Sequence, residues 1–242
     1  GAITIVAGRP GQGKTTLQLN LLVNMLRECP GKSFYFFSYE EARKALAIKL
    51  LIILSGQTLV PDTNYGAYVN YLKEKRGSND VIEEALSTLD AWTGSGRLWL
   101  IDAPLRAEEL CQTIRHLDER HDTGAVFVDY IQKIPGEKAS YSTRQVELQA
   151  VSERLRQTAV SLDLPLILGA QFGRYDKKSA EKRAVRLDNL REAGDIENDA
   201  HLVLGLHCEA IEVAQEQENL PLEPSVDMRL TVLKNRTGAD PS

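Results

Sequence analysis

Three features of the sequence predict an α/β fold, a mostly parallel central sheet with helices on both faces. β-branched and aromatic runs alternate with stretches of helical period, a glycine-rich loop joins the first run to the first helix, and several runs end in a polar residue. Parallel strands need long crossover connections, and the helical stretches supply them.

The first strand covers residues 3–6 and leads into Gly8-Arg9-Pro10-Gly11-Gln12-Gly13-Lys14-Thr15, which meets GxxxxGK[ST] at every required position. In such a loop the backbone N–H groups wind close to a polyphosphate, the lysine reaches the β and γ oxygens, and the hydroxyl ligates magnesium. Gly8, Arg9, Pro10, Gly11, Gln12, Gly13, Lys14, Thr15 and Thr16 are therefore the predicted nucleotide contacts, with ATP or another nucleoside triphosphate and Mg2+ as cofactors. Leu17, Leu21, Leu22, Met25 and Leu26 then recur at helical spacing, so a helix N-terminus aims its dipole at the phosphates until Pro30-Gly31 ends the helix. A purely structural glycine turn would not require Lys-Thr at the helix start.

Residues 33–38, Ser-Phe-Tyr-Phe-Phe-Ser, have strand character and deliver Glu40 and Glu41 to the carboxyl end of that strand, where ligands sit in a parallel α/β sheet. A carboxylate there can deprotonate the water that attacks a γ-phosphate. Equally, both acids can open the next helix, through Ala42, Leu46, Ile48 and Leu50, where acids favour the macrodipole. The residues alone leave these readings level.

Residues 98–102 form a strand ending in Asp102, but Ala103-Pro104 follows, so Asp102 reads as a turn residue. An amphipathic helix over 106–120 leads to the strand 125–129, whose terminal Asp129 has the form of a magnesium-holding aspartate opposite Thr15; a strand-end turn is the alternative. A second amphipathic helix over 145–161 precedes the strand 164–170 and then Gln171, a neutral amide able to hydrogen-bond a γ-phosphate and respond to its loss, or simply to cap. The acidic tract 209–223, with Glu212, Glu216, Glu218 and Glu223, reads as a solvated connection before a last strand over 226–233.

With 242 residues, 43% of them hydrophobic, the chain can bury a core sufficient for one domain over 1–242. No uncharged apolar run reaches 18 residues, so no membrane-spanning segment is expected. Cys29, Cys111 and Cys208 are odd in number and lack CxxC spacing, which argues against a disulfide framework and fits a cytoplasmic protein; no export signal opens the chain. His116, His121, His201 and His207 lack metal-ligand spacing. The net charge is 29 − 34 = −5, so any nucleic-acid contact must rest on local charge. Two segments carry it: Arg174, Lys177, Lys178, Lys182, Arg183 and Arg186 after Gln171, and Lys133 and Lys138, with Arg144 beyond, after Asp129. Tyr175 and Tyr141 could stack on bases, and solvated surface loops are the plain alternative.

Five segments together carry a family resemblance: Ser38-Tyr39-Glu40-Glu41, Val128-Asp129-Tyr130-Ile131-Gln132, Gly169-Ala170-Gln171-Phe172-Gly173-Arg174, Leu190-Arg191-Glu192-Ala193-Gly194-Asp195-Ile196-Glu197-Asn198-Asp199-Ala200, and Lys234-Asn235-Arg236-Thr237-Gly238. In this order, spanning residues 3–238, the chain resembles the C-terminal ATPase domain of bacterial and phage replicative helicases of the DnaB type; residues 57–96 are the least recognisable. The resemblance implies a RecA-like P-loop core, a homo-hexameric ring around single-stranded DNA, movement driven by NTP hydrolysis at subunit boundaries, and a primase or helicase loader as possible partners. It lends Glu40 the role of catalytic base and Gln171 that of a sensor between nucleotide and DNA loops. Lys234 and Arg236 fall on the family's Lys-x-Arg finger, which reaches into a neighbouring subunit's nucleotide. The basic segments would line the ring's channel and grip the DNA backbone. The family's N-terminal helical domain and linker are not recognised in these residues, so the chain is expected to be a domain fragment or a short paralogue. A RecA-like regulatory or recombination ATPase would keep the phosphate loop without needing the basic segments.

Overall fold

The computed structural model describes residues 1–56, 70, 74, 79–137, 141–173, 187, 190, 196–216, 226–236 and 238. Among these, seven strands form one sheet in the order β3-β2-β4-β5-β1-β6-β7. The strands β1 (Ile3–Gly8), β2 (Ser33–Ser38), β3 (Leu98–Ile101), β4 (Thr123–Asp129), β5 (Leu166–Gln171) and β6 (Leu202–His207) run parallel, and β7 (Arg229–Asn235) returns antiparallel to β6. β7 ends later than the predicted 226–233, because its pairing is confined to the length of β6, from His207↔Arg229 to Leu202↔Asn235.

The central strands are apolar on both faces because helices cover both. Alternate residues divide between the two sides: Ile5, Tyr35, Phe37, Val126, Val128 and Leu168 enter one core, while Val6, Phe34, Phe36, Phe127 and Ile167 enter the other. The first core is closed by α4 (Ala107–Asp118) and α5 (Arg144–Leu162), through Leu110, Ile114, Leu148, Val151 and Leu155. The second is closed by α1 (Lys14–Glu28), α2 (Arg43–Ser55) and α3 (Asp80–Gly94). On α1 the fully buried stripe is Leu19, Leu22, Val23 and Leu26, with Leu17, Leu21 and Met25 only partly buried beside it.

Caps set several boundaries. The Asn79 side chain accepts from the N–H groups of Val81 and Ile82 at the start of α3, and the Thr143 hydroxyl accepts from Val146 N–H at the start of α5. Glu40 and Glu41 do not open a helix: α2 starts at Arg43 with no acid in its first turn. Its capping acid is Asp102, whose carboxylate accepts the Arg43 N–H at 2.9 Å, so the residue read as a turn aspartate ties β3 to α2.

The acidic tract is corrected more sharply. Its described part forms a helix, α7 (Glu209–Glu216), following the single turn α6 (Ile196–Asp199) and β6, and Glu212 is only 7% exposed because it is ion-paired with Arg9. Glu218 and Glu223 lie outside the described residues. Among the described residues no helix is long and apolar enough to cross a membrane.

Candidate functional site

The carboxyl ends of β1, β2, β4 and β5 meet at one sheet edge, with Gly8 beside Gln171 and Ser38 beside Asp129. From β1 the chain turns through Gly11 (φ 74°) and Gly13 (φ 81°), a backbone region that favours glycine, into α1. Gly13 caps α1 without any side-chain hydrogen bond, and the first turn contains no acid, so its N–H groups and positive dipole end are left for an anion. A Cβ on Gly8 would lie 3.1 Å from Leu206 O and 3.3 Å from Lys14 Cγ, which keeps that position closed to larger residues.

Lys14 is buried at 8% exposure and its Nζ donates to Arg9 O at 3.0 Å. Burial lowers its pKa, while the charges of Asp129 and Glu40 act to raise it. The Thr15 hydroxyl donates to Asp129 Oδ2 at 2.5 Å. Asp129 is 1% exposed, and among the described residues its Oδ1 has no hydrogen-bond partner. Burial pushes its carboxyl up, with the Thr15 hydroxyl and then Lys14 pulling it down. A buried, partnerless carboxylate oxygen beside a hydroxyl is a donor set suited to a hard cation, and the glycine cradle with an uncapped helix suits a polyphosphate. The residues therefore fit both magnesium and a nucleoside triphosphate.

Pro10, Gly11, Gly13, Lys14, Thr15, Thr16, Glu40, Glu41, Lys49 and Gln171 line one cavity of about 260 Å³. Lys14, Thr15, Glu40 and Gln171 are thus brought together as the sequence predicts, with Asp129 behind Thr15. Two predicted nucleotide contacts turn their side chains elsewhere. Arg9 pairs with Glu212, and Gln12, 1% exposed, accepts the Cys208 N–H at 2.5 Å. At these two positions it is the backbone that follows the loop.

Three participants escape the sequence reading. Lys49, on the cavity wall, is ion-paired with Glu41. Gln132 clamps the end of β5 at two points, its Nε2 donating to Gln171 O at 2.9 Å and its Oε1 accepting from Gln171 N–H at 3.1 Å. Gln18 is fully buried with both side-chain polar atoms unpartnered among the described residues, beside Gly169. Only Gln132 carries a sequence signal, its place in the segment after Asp129.

The predicted finger residues Lys234 and Arg236 stand apart, at and just beyond the end of β7, an edge strand among the described residues. Their side chains donate to the carbonyls of Glu197 and Asn198. Of the predicted DNA contacts, Lys133 ends a 3-10 turn (Ile131–Lys133), and Arg144 donates to Gln132 O and pairs with Glu147. Lys138, Arg174, Lys177, Lys178, Lys182, Arg183 and Arg186 lie outside the described residues, as does Tyr175.

A family model of the DnaB-like helicase C terminal domain matches residues 1–241. The replicative DNA helicase DnaB of Mycoplasma genitalium is 28% identical over 242 residues, covering 98% of this chain and 48% of that protein. The chain thus spans about half the length of the curated relatives it matches. Among solved structures, one described as an ATPase domain superposes with a TM-score of 0.76 at 20% identity, over 98% of this chain and 78% of the other. A DnaB-like replicative helicase, described with its interactions with primase, gives 0.73 at 19% identity, over 96% and 56%.

Proposed function

We propose, from the premise that this chain belongs to the family of DnaB-like helicase C-terminal domains, that it is the NTP-hydrolysing motor domain of a hexameric ring helicase that moves on single-stranded DNA and unwinds duplex. Nucleotide binding at the phosphate loop is expected of the family; its use for movement is the proposal.

The observation that carries the reading is one cavity holding Lys14, Thr15 and Glu40, with Asp129 bonded to Thr15. The α1 N–H groups and Lys14 would bind the β and γ phosphates, and Thr15 with Asp129 would hold magnesium. Bound there, the metal supplies charge neutralisation across the phosphate oxygens. Glu40, on the open wall, accepts a proton from the attacking water, and Gln171 hydrogen-bonds the γ-phosphate. Arg236 of a neighbouring copy, with Lys234, completes the charge around the transferring group, a role that can supply about 10³–10⁵ in rate. Lys133, Lys138, Arg144, Arg174, Lys177, Lys178, Lys182, Arg183 and Arg186 would contact the DNA backbone without reading sequence. A primase is the partner class in keeping with the DnaB-like structural neighbour, and a helicase loader is proposed from the family resemblance alone.

The test is the ATP hydrolysis rate across protein concentrations, with and without single-stranded DNA, using Glu40→Gln as the blank. A rate per subunit that climbs with both is expected. A rate flat in both, from protein that forms rings in solution, would overturn the motor reading in favour of a regulatory ATPase.

A further inference from the structure

Two opposite charges, one of them on the wall of the phosphate cavity, face each other from different elements. Ser38 pairs with Asp129, and Tyr39 N–H donates to Asp129 O at 2.7 Å, so the segment after β2 runs beside the segment after β4. The second segment is rigidly seated: Ile131 and Ile134 are fully buried, and Gln132 between them is clamped to Gln171. Lys133 projects from this turn. Its Nζ lies 3.8 Å from Glu40 Oε1 and 5.4 Å from the centre of the Tyr130 ring.

The neighbouring Glu41 is engaged by Lys49, whereas the ion-pair partner of Glu40 among the described residues is Lys133. Glu40 also walls two cavities at once. One is the phosphate-side cavity; the other, of about 360 Å³, is lined by Lys133. The acid assigned to hydrolysis is thus shared between the nucleotide side and a lysine assigned to DNA.

We propose that Lys133 is a positioning residue that restrains Glu40 while DNA is absent, and that a DNA phosphate competing for the Lys133 ammonium releases Glu40 toward the attacking water. This rests on the proposed roles of Glu40 and of DNA given above. Both partners are half-exposed, at 41% and 48%, so the pair is solvated and easily exchanged. A row of phosphates that gains by counterion release is a stronger partner for the lysine than one solvated carboxylate. The stimulus is therefore electrostatic and independent of base sequence.

The experiment compares steady-state ATP hydrolysis by wild type, Lys133→Ala, Lys133→Arg and Glu40→Gln, with and without saturating single-stranded oligodeoxythymidylate. Without DNA, Lys133→Ala should raise kcat about two- to fivefold, the size an exposed pair can supply, with KM for ATP unchanged. Its stimulation by DNA should shrink by the same factor, and Lys133→Arg should behave as wild type. Added salt should lift the DNA-free kcat of wild type toward that of Lys133→Ala without lifting the variant, because screening dissolves the pair. Lys133→Gln, followed with thermal melting, repeats the comparison should alanine loosen the turn. An unchanged or lowered DNA-free kcat in folded Lys133→Ala and Lys133→Gln, with wild type still stimulated and Glu40→Gln inactive, would overturn the restraint alone. A wild type that never turns over ATP would overturn the hydrolysis reading and the restraint together.

Discussion

The Thr15 hydroxyl and the Asp129 carboxylate meet at 2.5 Å, joining the first turn of α1 to the end of β4. The bond uses Oδ2 and leaves the buried Oδ1 without a partner among the described residues. A carboxylate kept in that state at 1% exposure is costly unless something else completes it, and a divalent cation does so. Asp129→Asn preserves the shape and removes the charge. ATP turnover should fall about 10–100-fold, and a magnesium titration should move to higher concentration. Wild-type turnover at limiting magnesium would remove Asp129 from the metal site.

The same carboxylate depends on a glycine across the sheet. A Cβ at Gly169 would stand 2.8 Å from Asp129 Oδ1 and 3.1 Å from Gln18 Nε2, and β5 is held between β1 and β4. Gly169→Ala should therefore displace Asp129, destabilise the fold by about 1–3 kcal/mol and lower turnover. Gly31→Ala, where a Cβ meets nothing within 4 Å, should stay within about 0.5 kcal/mol of wild type. Urea denaturation of the two variants side by side decides it, and equal midpoints would sink the claim.

What can be read in advance follows from local pattern. β2 is delimited at Ser33 and Ser38 because its apolar run is bounded on both sides, and the phosphate loop is legible because eight consecutive residues determine it. What cannot be read depends on partners brought together by the fold. Asp102 looks like a turn residue until α2 supplies the Arg43 N–H, and Gln132 is an ordinary polar side chain until β5 arrives beside it. The tract around Glu212 counts as solvent-facing charge unless Arg9, at the far end of the chain, is known to face it. Arg9 itself misleads for the same reason, since its place in the motif fixes its backbone and not its guanidinium.

The Arg9–Glu212 pair offers a stability test. Both side chains are nearly closed off, at 13% and 9% exposure, so removing one partner strands a buried charge. Glu212→Ala should cost about 3–5 kcal/mol in chemical denaturation, and Glu212→Gln, which keeps a hydrogen-bond acceptor, should cost less. A loss below about 1 kcal/mol in Glu212→Ala would mean that the pair does not hold α7 to the phosphate loop.

Beside that pair, His207 gives a dependence on pH. Burial, then the charge of Arg9 and a smaller push from Arg229, hold its imidazole below the usual 6.5, against Glu209. Glu212 lies 3.9 Å away, but its charge is taken up by Arg9. The unfolded chain thus takes the proton at higher pH than the folded one. The contribution to stability is complete above about pH 6.5 and is lost as pH falls below it toward the folded-state value. Between about pH 7.5 and 5.5 the urea midpoint of wild type should drop further than that of His207→Gln; parallel drops would refute the assignment.

The finger gives the strongest test of assembly. Arg236 lies just past the end of edge strand β7, where Leu230 and Val232 are 48% and 39% exposed, and its guanidinium now donates to its own chain's Asn198 carbonyl. An edge strand with exposed apolar residues is open to a neighbour, and a charged side chain held by one carbonyl can be handed to a phosphate. If Arg236 completes another subunit's site, Arg236→Ala should nearly abolish turnover while leaving ATP affinity close to wild type, since the protein's own phosphate loop is intact. Lys14→Ala should fail for the opposite reason. Mixing the two inactive proteins should then restore part of the activity, because each Arg236→Ala subunit keeps a working loop and can receive the finger of a Lys14→Ala neighbour. Mixtures that stay inactive, although both variants assemble with wild type, would place Arg236 in service of its own chain, and full activity of Arg236→Ala alone would end the finger assignment.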